Sequence, residues 1–124
     1  MKILKVLIAD DDGITRHLLR TILRQTYVDV VGEATNGQET LELCAKLQPD
    51  MLILDINMPK LGGFEVLKSI RSTNPEISVI MMSSDATQNN VVEARAHGIY
   101  EFIVKPFSAA QVINVISRCA PAAE

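Results

Sequence analysis

The sequence predicts an α/β protein in which a parallel five-stranded sheet carries helices on both faces. Five short apolar runs alternate along the chain with longer segments of helical periodicity. The runs are mostly unbroken by polar residues, as in strands that are buried on both faces of a parallel sheet. Strands that alternate with helices need crossover connections, which are right-handed in nearly all proteins. The 124 residues are enough for one such domain and too few for two.

The predicted strands are short, and most of them are continuous apolar runs. They comprise Leu4–Ala9, Val28–Ala34, Met51–Leu54, Ser78–Met82 and Tyr100–Val104. The second run is more mixed than the others, because it contains Asp29 and Glu33. Charged residues are tolerated at the edge of a sheet, so we expect this strand to be an edge strand. For a chain of this size we expect the flavodoxin-like (βα)5 arrangement, with strand order 2-1-3-4-5.

Each helix is predicted from apolar residues that recur at helical spacing between two strands. The five stripes are Ile14, Leu18 and Ile22 with Leu19 and Leu23; Leu41, Leu43, Cys44 and Leu47; Phe64, Leu67 and Ile70; Val91, Val92 and Ala96; and Val112, Ile113, Val115 and Ile116. Asn36 and Glu39 lie near the start of the second helix, and Gly98 follows the fourth, where glycine is favoured. Ser108 and Gln111 have the spacing of a capping box at the start of the last helix.

Composition and charge exclude several classes of protein. The net charge of −3 argues against a nucleic-acid-binding surface, which usually shows a basic excess. No apolar run approaches the roughly 20 residues of a membrane span. The start of the chain reaches three aspartates after a short apolar run, unlike a signal peptide. We therefore expect a cytoplasmic protein that contacts neither DNA nor membrane directly.

The chain is predicted to form a single domain over residues 1–124. Its core is expected to run from about residue 4 to about residue 119, with a short frayed tail over residues 120–124. Cys44 and Cys119 lie far apart in helical patterns, and we expect both to be free thiols that only contribute to packing. His17 and His97 have no metal-like spacing to either cysteine, so a zinc site is not indicated.

Candidate residues for chemistry directly follow the first, third, fourth and fifth predicted strands. They are Asp10, Asp11 and Asp12 after the first strand, Asp55 after the third, Ser83 and Ser84 after the fourth, and Lys105 with Pro106 after the fifth. Ligands of doubly wound folds bind beyond the carboxyl ends of the strands, where the strand order switches. With the order 2-1-3-4-5, these residues converge on one shallow site.

These residue types suit phosphoryl transfer to a carboxylate. Crowded carboxylates repel one another, and a hard cation such as Mg²⁺, which prefers oxygen ligands, relieves the repulsion. A helix cap followed by a solvated loop would also explain Asp10, Asp11 and Asp12. It would not explain Asp55, which directly follows a buried apolar strand. Lys105 can pair with the free carboxylates and bind phosphate oxygens when phosphate arrives. The combination predicts a nucleophilic aspartate whose charge changes are offset by a metal and a lysine.

Ser83 and Ser84 have two readings, as turn residues or as hydroxyl donors to a phosphoryl oxygen. Pro106 restricts the backbone next to Lys105, and the peptide bond before it can be trans or cis.

The chain resembles the receiver domains of two-component response regulators from Val6 to Ser117. The resemblance rests on an acidic pair after the first strand, on Asp55-Ile-Asn-Met-Pro59 with Gly63 beyond it, on Met82-Ser-Ser84, and on Lys105-Pro-Phe107. Each motif alone is weak, whereas all four in order and at family spacing are specific. Gly62, Ser84 and Phe102 depart from the commonest residues of the family at their positions.

The resemblance implies a role for each matching residue. Asp55 corresponds to the phosphoacceptor, Asp11 to a direct Mg²⁺ ligand, and Asp10 to a ligand that acts directly or through water. Asp55 and the backbone carbonyl of Asn57 complete the metal ligands from the protein, and Mn²⁺ can replace Mg²⁺. Lys105 corresponds to the phosphate-binding lysine.

Four further positions are implied to control the signal. Ser83 corresponds to the switch hydroxyl, and Phe102 to an aromatic switch residue that is often tyrosine. Asn57 and Asp85 occupy the positions that tune self-dephosphorylation, and an amide and an acid there predict a short-lived phosphoryl group. The domain is thus expected to assist its own phosphorylation and dephosphorylation rather than to act as an enzyme on other molecules.

The resemblance also implies partners. A sensor histidine kinase or a histidine phosphotransfer protein would donate the phosphoryl group, with Arg16, His17 and Arg20 of the first helix helping to select it. A downstream protein target would bind the face formed by the fourth helix, fifth strand and fifth helix, including Val91, Ala94 and Phe102. Phosphorylation-dependent homodimerisation is compatible with the family, and the chain fits a stand-alone regulator and an excised receiver equally well.

Two other functions compete with this interpretation. Asp10-Asp11-Asp12 contains the Asp-x-Asp pattern of Mg²⁺-dependent phosphatases with an aspartate nucleophile, but Ile14 departs from that pattern and Asp55 would have no role. A receiver-like interaction module that is never phosphorylated would not need the complete set of acceptor residues. A dinucleotide-binding role lacks a glycine-rich Gly-x-Gly-x-x-Gly turn after the first strand.

Overall fold

A computed structural model describes residues 3–85 and 87–119, and the tail predicted to fray at residues 120–124 lies outside these ranges. The strands are β1 (Leu4–Ala9), β2 (Val28–Ala34), β3 (Met51–Asp55), β4 (Ser78–Ser83) and β5 (Glu101–Val104). The helices are α1 (Gly13–Leu23), α2 (Gly37–Leu47), α3 (Gly63–Thr73), α4 (Gln88–Ala96) and α5 (Ala109–Cys119). All strand pairs are parallel, and the sheet order is β2-β1-β3-β4-β5. The predicted fold class, the strand order and the edge position of β2 are confirmed.

The core has two layers, one on each face of the sheet, because successive strand residues point to opposite faces. Leu7 and Ala9 of β1 lie in the layer beneath α2, α3 and α4, whereas Val6 and Ile8 lie in the layer beneath α1 and α5. All residues of β3 are buried, as expected of a central strand that is covered on both faces. The sheet is therefore a rigid platform whose carboxyl ends hold the predicted site residues.

Two of the apolar stripes that predicted helices are only partly buried. In α1, Leu19, Ile22 and Leu23 are buried, but Ile14 is 80% exposed and Leu18 is 45% exposed. The first turns of α1 extend past the carboxyl end of β1, so this side of the helix has no sheet beneath it. In α4, only Ala94 is fully buried among the described residues.

The helix ends agree with the signals in the sequence. Asn36 accepts a hydrogen bond from the Glu39 amide at the start of α2, and Glu39 Oε1 accepts one from the Thr35 amide. Ser108 Oγ likewise accepts from the Gln111 amide at the start of α5. Gly98, after α4, has a φ of +81°, the left-handed conformation that glycine adopts without strain. Among the described residues, no helix is both long and apolar enough to span a membrane.

Candidate functional site

The carboxyl ends of four strands bring the predicted site residues together. Asp10 follows β1, Asp55 is the last residue of β3, Ser83 is the last residue of β4, and Lys105 follows β5. Pairing in register keeps these ends level, since Asp55 lies opposite Met82 of β4. Asp10, Asp55 and Ser83 are buried even though they are polar. This is the edge where ligands of open parallel sheets bind.

The amide, the carbonyl and both carboxylate oxygens of Asp10 are hydrogen-bonded. Its amide donates to the Ala34 carbonyl at 3.0 Å, which fixes the end of β1 against β2. Its Oδ1 accepts from the Asp12 amide at 2.9 Å, and its Oδ2 accepts from Lys105 Nζ at 2.7 Å. Its carbonyl accepts from Arg16 Nη1 at 2.7 Å. These hydrogen bonds offset the cost of burying a carboxyl group that is only 1% exposed.

Asp55 is the most perturbed acid of the site. Its side chain is almost inaccessible, with the residue 5% exposed. Burial, together with the negative charge of Asp10, raises the pKa of Asp55 to about 6, and the Lys105 ammonium opposes part of that rise. The Asn57 amide approaches Asp55 Oδ1 at 3.4 Å. The carboxylate is thus held in place but insufficiently compensated by the protein alone.

Asp10, Asp11 and Asp55 form an oxygen-rich cluster that fits a hard divalent cation. Each residue offers one carboxylate oxygen, and the three oxygens lie within 4.8 Å of one another. Asp11 is exposed, whereas its two neighbours are buried, so the cluster opens to solvent on one side. Mg²⁺ binds few carboxylates and keeps several waters, which suits a half-open site of this kind. Burial and, after it, repulsion by Asp10 raise the pKa of Asp55, and a bound cation would oppose both effects.

Lys105 bridges the two buried carboxylates. Its Nζ lies 2.7 Å from Asp10 Oδ2 and 3.5 Å from Asp55 Oδ2. Burial alone would lower the pKa of Lys105, but the hydrogen bond to Asp10 and the charge of Asp55 outweigh it and raise the pKa. The peptide bond between Lys105 and Pro106 is cis. The lysine is therefore charged and lies next to the carboxylate that the sequence predicts to be the acceptor.

Ser83 is at the site, but its hydroxyl is engaged in the connection that follows β4. Ser83 Oγ accepts from the Asp85 amide at 2.9 Å and donates to the Asp85 carbonyl at 3.3 Å. The same carbonyl accepts from Asn90 Nδ2 at 2.9 Å. Ser84 and Asp85 are exposed beside the site. These bonds agree with the interpretation of Ser83 as a turn residue, and its role as a donor to a phosphoryl oxygen stays a prediction.

The remaining predicted residues lie around the rim and behind the site. The Asn57 side chain is exposed at the mouth. Phe102 is half-buried against the core layer beneath α2, α3 and α4. Gly63 begins α3 behind Asp55, and a Cβ atom there would lie 2.6 Å from the Asp55 carbonyl oxygen. A side chain at position 63 would displace the strand end that carries the predicted acceptor.

Two features of α1 were not foreseen from the sequence. Arg16 and Arg20 both pair with Glu33 at the end of β2, and their role in selecting a kinase stays a prediction. Ile14 and Leu18 fit the helical stripe, but with Pro106 and Phe107 they line an apolar cavity of about 310 Å³ next to Lys105. Glu33 in the mixed second strand was the available signal for the two ion pairs.

Comparison with known proteins agrees with the fold and identifies the family. The response regulator receiver domain family matches residues 6–117 of this chain. The chemotaxis protein CheY of Thermotoga maritima is 37% identical over 114 residues, covering 92% of this chain and 95% of the relative. The chemotaxis protein CheY of Listeria monocytogenes is 38% identical over 117 residues, covering 94% of this chain and 98% of the relative.

Solved structures agree equally well. The signal receiver domain of the response regulator NarL from Mycobacterium tuberculosis superposes with a TM-score of 0.90 at 28% identity, covering 96% of this chain and 97% of that chain. The CheX–CheY–BeF3–Mg complex from Borrelia burgdorferi superposes with a TM-score of 0.86 at 29% identity, covering 93% and 87%. Family match, relatives and structures converge, and this chain belongs to the response regulator receiver domain family.

Proposed function

We propose that Asp55 accepts a phosphoryl group from a phosphohistidine on a sensor histidine kinase or a histidine phosphotransfer protein. The observation that carries the proposal is the buried Asp55 carboxylate, which shares one cluster with Asp10 and Asp11 and lies 3.5 Å from Lys105 Nζ. A carboxylate oxygen attacks phosphorus as the bond between phosphorus and the donor imidazole breaks. This receiver domain acts in the cytoplasm as a phosphoacceptor and not as an enzyme on external substrates.

The residues of the cluster would hold Mg²⁺, or Mn²⁺ in its place. The proposed ligands are the carboxylates of Asp10, Asp11 and Asp55 and the backbone carbonyl of Asn57. When bound, the cation supplies positive charge that offsets the negative charge of the phosphoryl oxygens. Lys105 then leaves its partners in the cluster and binds a phosphoryl oxygen with its ammonium group.

Ser83 and Phe102 are proposed to convert phosphorylation into a change of shape. The Ser83 hydroxyl gives up its bond to the Asp85 carbonyl, now 3.3 Å away, and donates to a phosphoryl oxygen instead. Phe102, already half-buried, turns further inward as the connection after β4 moves. Because a ligand shifts a population only through contacts that differ between two states, these are the contacts that must differ.

Asn57 and Asp85 are proposed to limit the lifetime of the phosphoryl group. Both are exposed at the mouth of the site, where a water molecule must approach phosphorus opposite the Asp55 oxygen. An amide and a carboxylate can orient that water by hydrogen bonds. A phosphoryl group that persists for many hours at neutral pH with Mg²⁺ would contradict this role.

Two separate surfaces are proposed for the partners. The phosphodonor would bind over the apolar cavity beside Lys105, where Ile14 and Leu18 are exposed. The downstream target, or a second phosphorylated copy, would bind the face formed by α4, β5 and α5. Ala94 is buried and cannot contribute to that face, whereas Val92 and Val104 are exposed on it.

The test is to treat the protein briefly with acetyl phosphate and Mg²⁺ and to locate the modified residue by mass spectrometry. We expect one modification, on Asp55, that is lost in Asp55→Asn and retained in Asp29→Asn. Asp29 is an exposed aspartate of β2, away from the cluster. Modification of Asp10 would instead support the phosphatase, and an unmodified protein would support an interaction module. The phosphatase alternative would also need Asp12 in the reaction. Both oxygens of the Asp12 side chain instead cap α1, because they accept hydrogen bonds from the Ile14 amide and the Thr15 hydroxyl.

A further inference from the structure

Arg16 connects the edge of the sheet to the acidic cluster. Its Nε donates to Glu33 Oε1 at 3.0 Å, and its Nη1 donates to the main-chain carbonyl of Asp10 at 2.7 Å. Glu33 Oε2 is paired with Arg20 Nε at 2.7 Å. The Arg16 side chain is only 19% exposed. One guanidinium thus spans from the end of β2 to the connection between β1 and α1.

The carbonyl that Arg16 holds belongs to the peptide group between Asp10 and Asp11. The Asp10 side chain is already fixed by the Asp12 amide and by Lys105. Asp11 is exposed, so its carboxylate depends on the backbone for its direction. Fixing the plane of the peptide group therefore aims Asp11 at the other two carboxylates.

We propose that Arg16 is a positioning residue for the metal site, acting through the peptide group between Asp10 and Asp11. The inference rests on the proposed function, in which these two aspartates hold the cation. Groups behind the direct ligands of a metal commonly fix the orientation of those ligands, and their loss weakens metal binding. Here the group holds the main chain of the ligands rather than a ligand side chain.

Glu33 reduces the electrostatic repulsion between Arg16 and a cation bound at the acidic cluster. A lone guanidinium there would repel the metal, but Glu33 lies against Arg16 and offsets its charge. The planar guanidinium donates in two directions at once, which the single ammonium group of lysine does not reproduce with the same geometry. Charge and geometry at position 16 can therefore be separated by a substitution that keeps the charge.

The test compares Arg16→Lys with Arg20→Lys in the full chain, with Mg²⁺ affinity measured by isothermal titration calorimetry on metal-free protein. Both variants keep the net charge, and both lose an arginine contact to Glu33. Arg16 alone of the pair contacts Asp10 among the described residues. We expect Arg16→Lys to weaken Mg²⁺ binding on the order of tenfold and Arg20→Lys to stay within about twofold of the parent.

Unchanged affinity in Arg16→Lys, or equal weakening in both variants, would overturn the inference. If Arg16→Lys fails to fold, as judged by circular dichroism, Glu33→Gln decides instead. It leaves Arg16 in place but removes the charge that holds it, so we expect roughly threefold weaker binding, and unchanged affinity would again overturn the inference. A parent protein that binds no Mg²⁺ would refute the proposed metal site itself, a separate result.

Discussion

Replacing Asp55 by asparagine in the metal-free protein should raise its stability at neutral pH, although the substitution would remove the proposed phosphoacceptor. The buried Asp55 carboxylate lies next to Asp10, and an amide of the same shape carries no charge to desolvate. Burial and the charge of Asp10 raise the pKa of Asp55 from an ordinary value of 3.8 to about 6. The charged form is therefore disfavoured in the folded state relative to the unfolded chain.

The size of the effect follows from the pKa difference. Each tenfold change in proton affinity corresponds to about 1.4 kcal/mol, so a rise from 3.8 to about 6 corresponds to about 3 kcal/mol. Because the folded-state pKa is raised, the stability that protonation supplies is complete below pH 3.8 and is lost as the pH rises through about 6. At pH 7.5 the parent lacks this stability, whereas Asp55→Asn keeps it. For a domain of this length the expected rise in Tm is about 10 °C.

The assay is thermal unfolding followed by circular dichroism in EDTA, at pH 7.5 and at pH 4. The advantage of Asp55→Asn should be about 3 kcal/mol at pH 7.5 and should largely disappear at pH 4. Asp29→Asn, on the exposed side of the edge strand, should change the stability by less than about 0.5 kcal/mol. A Tm equal to or below that of the parent at pH 7.5, or an advantage that is the same at both pH values, would refute this reasoning.

Three further substitutions or reactions test other parts of the structure. Gly63→Ala should cost about 1–3 kcal/mol in urea unfolding, because its Cβ would lie 2.6 Å from the Asp55 carbonyl oxygen; stability equal to the parent would contradict the close approach. Gly98→Ala should cost about 1–2 kcal/mol in the same assay, since its φ is +81° although an added Cβ would lie at an ordinary contact distance of 3.8 Å from Arg71 Cδ. Burial raises the pKa of Cys44 to about 11. In a Cys119→Ser variant, Cys44 should therefore react with a thiol reagent at pH 8 no faster than the chain unfolds. Rapid labelling of the folded protein would refute this.

The sheet and its polar edge were predictable from the sequence for one physical reason. A strand that is buried on both faces must be apolar throughout, so an aspartate directly after Met51–Leu54 stands out. The chain continues β3 by one residue, through Asp55, and β4 by one residue, through Ser83. A prediction from sequence assigns polar residues at the end of an apolar run to a loop. In the structure, these residues pair with the neighbouring strand and so belong to the sheet.

Helical periodicity does not show which side of a helix is buried. Ile14 and Leu18 fit a helical stripe with Ile22 but are exposed, because periodicity alone cannot show that the sheet ends before the first turns of α1. In α4, Ala94 is the buried residue although the valines are more hydrophobic. In both helices, burial depends on where the element lies relative to its neighbours.

The contacts of Lys105 also suggest an order of events at the site. Its ammonium is 2.7 Å from Asp10 and 3.5 Å from Asp55, so it offsets much of their charge in the metal-free protein. In the proposed function, Lys105 would exchange its contact with Asp10 for a phosphoryl oxygen, which would leave a buried carboxylate uncompensated. A cation held by the proposed ligands Asp10 and Asp11 would remove that cost. Metal binding should therefore precede phosphoryl transfer, and the arginine that holds the main chain of the cluster would act on the earlier step.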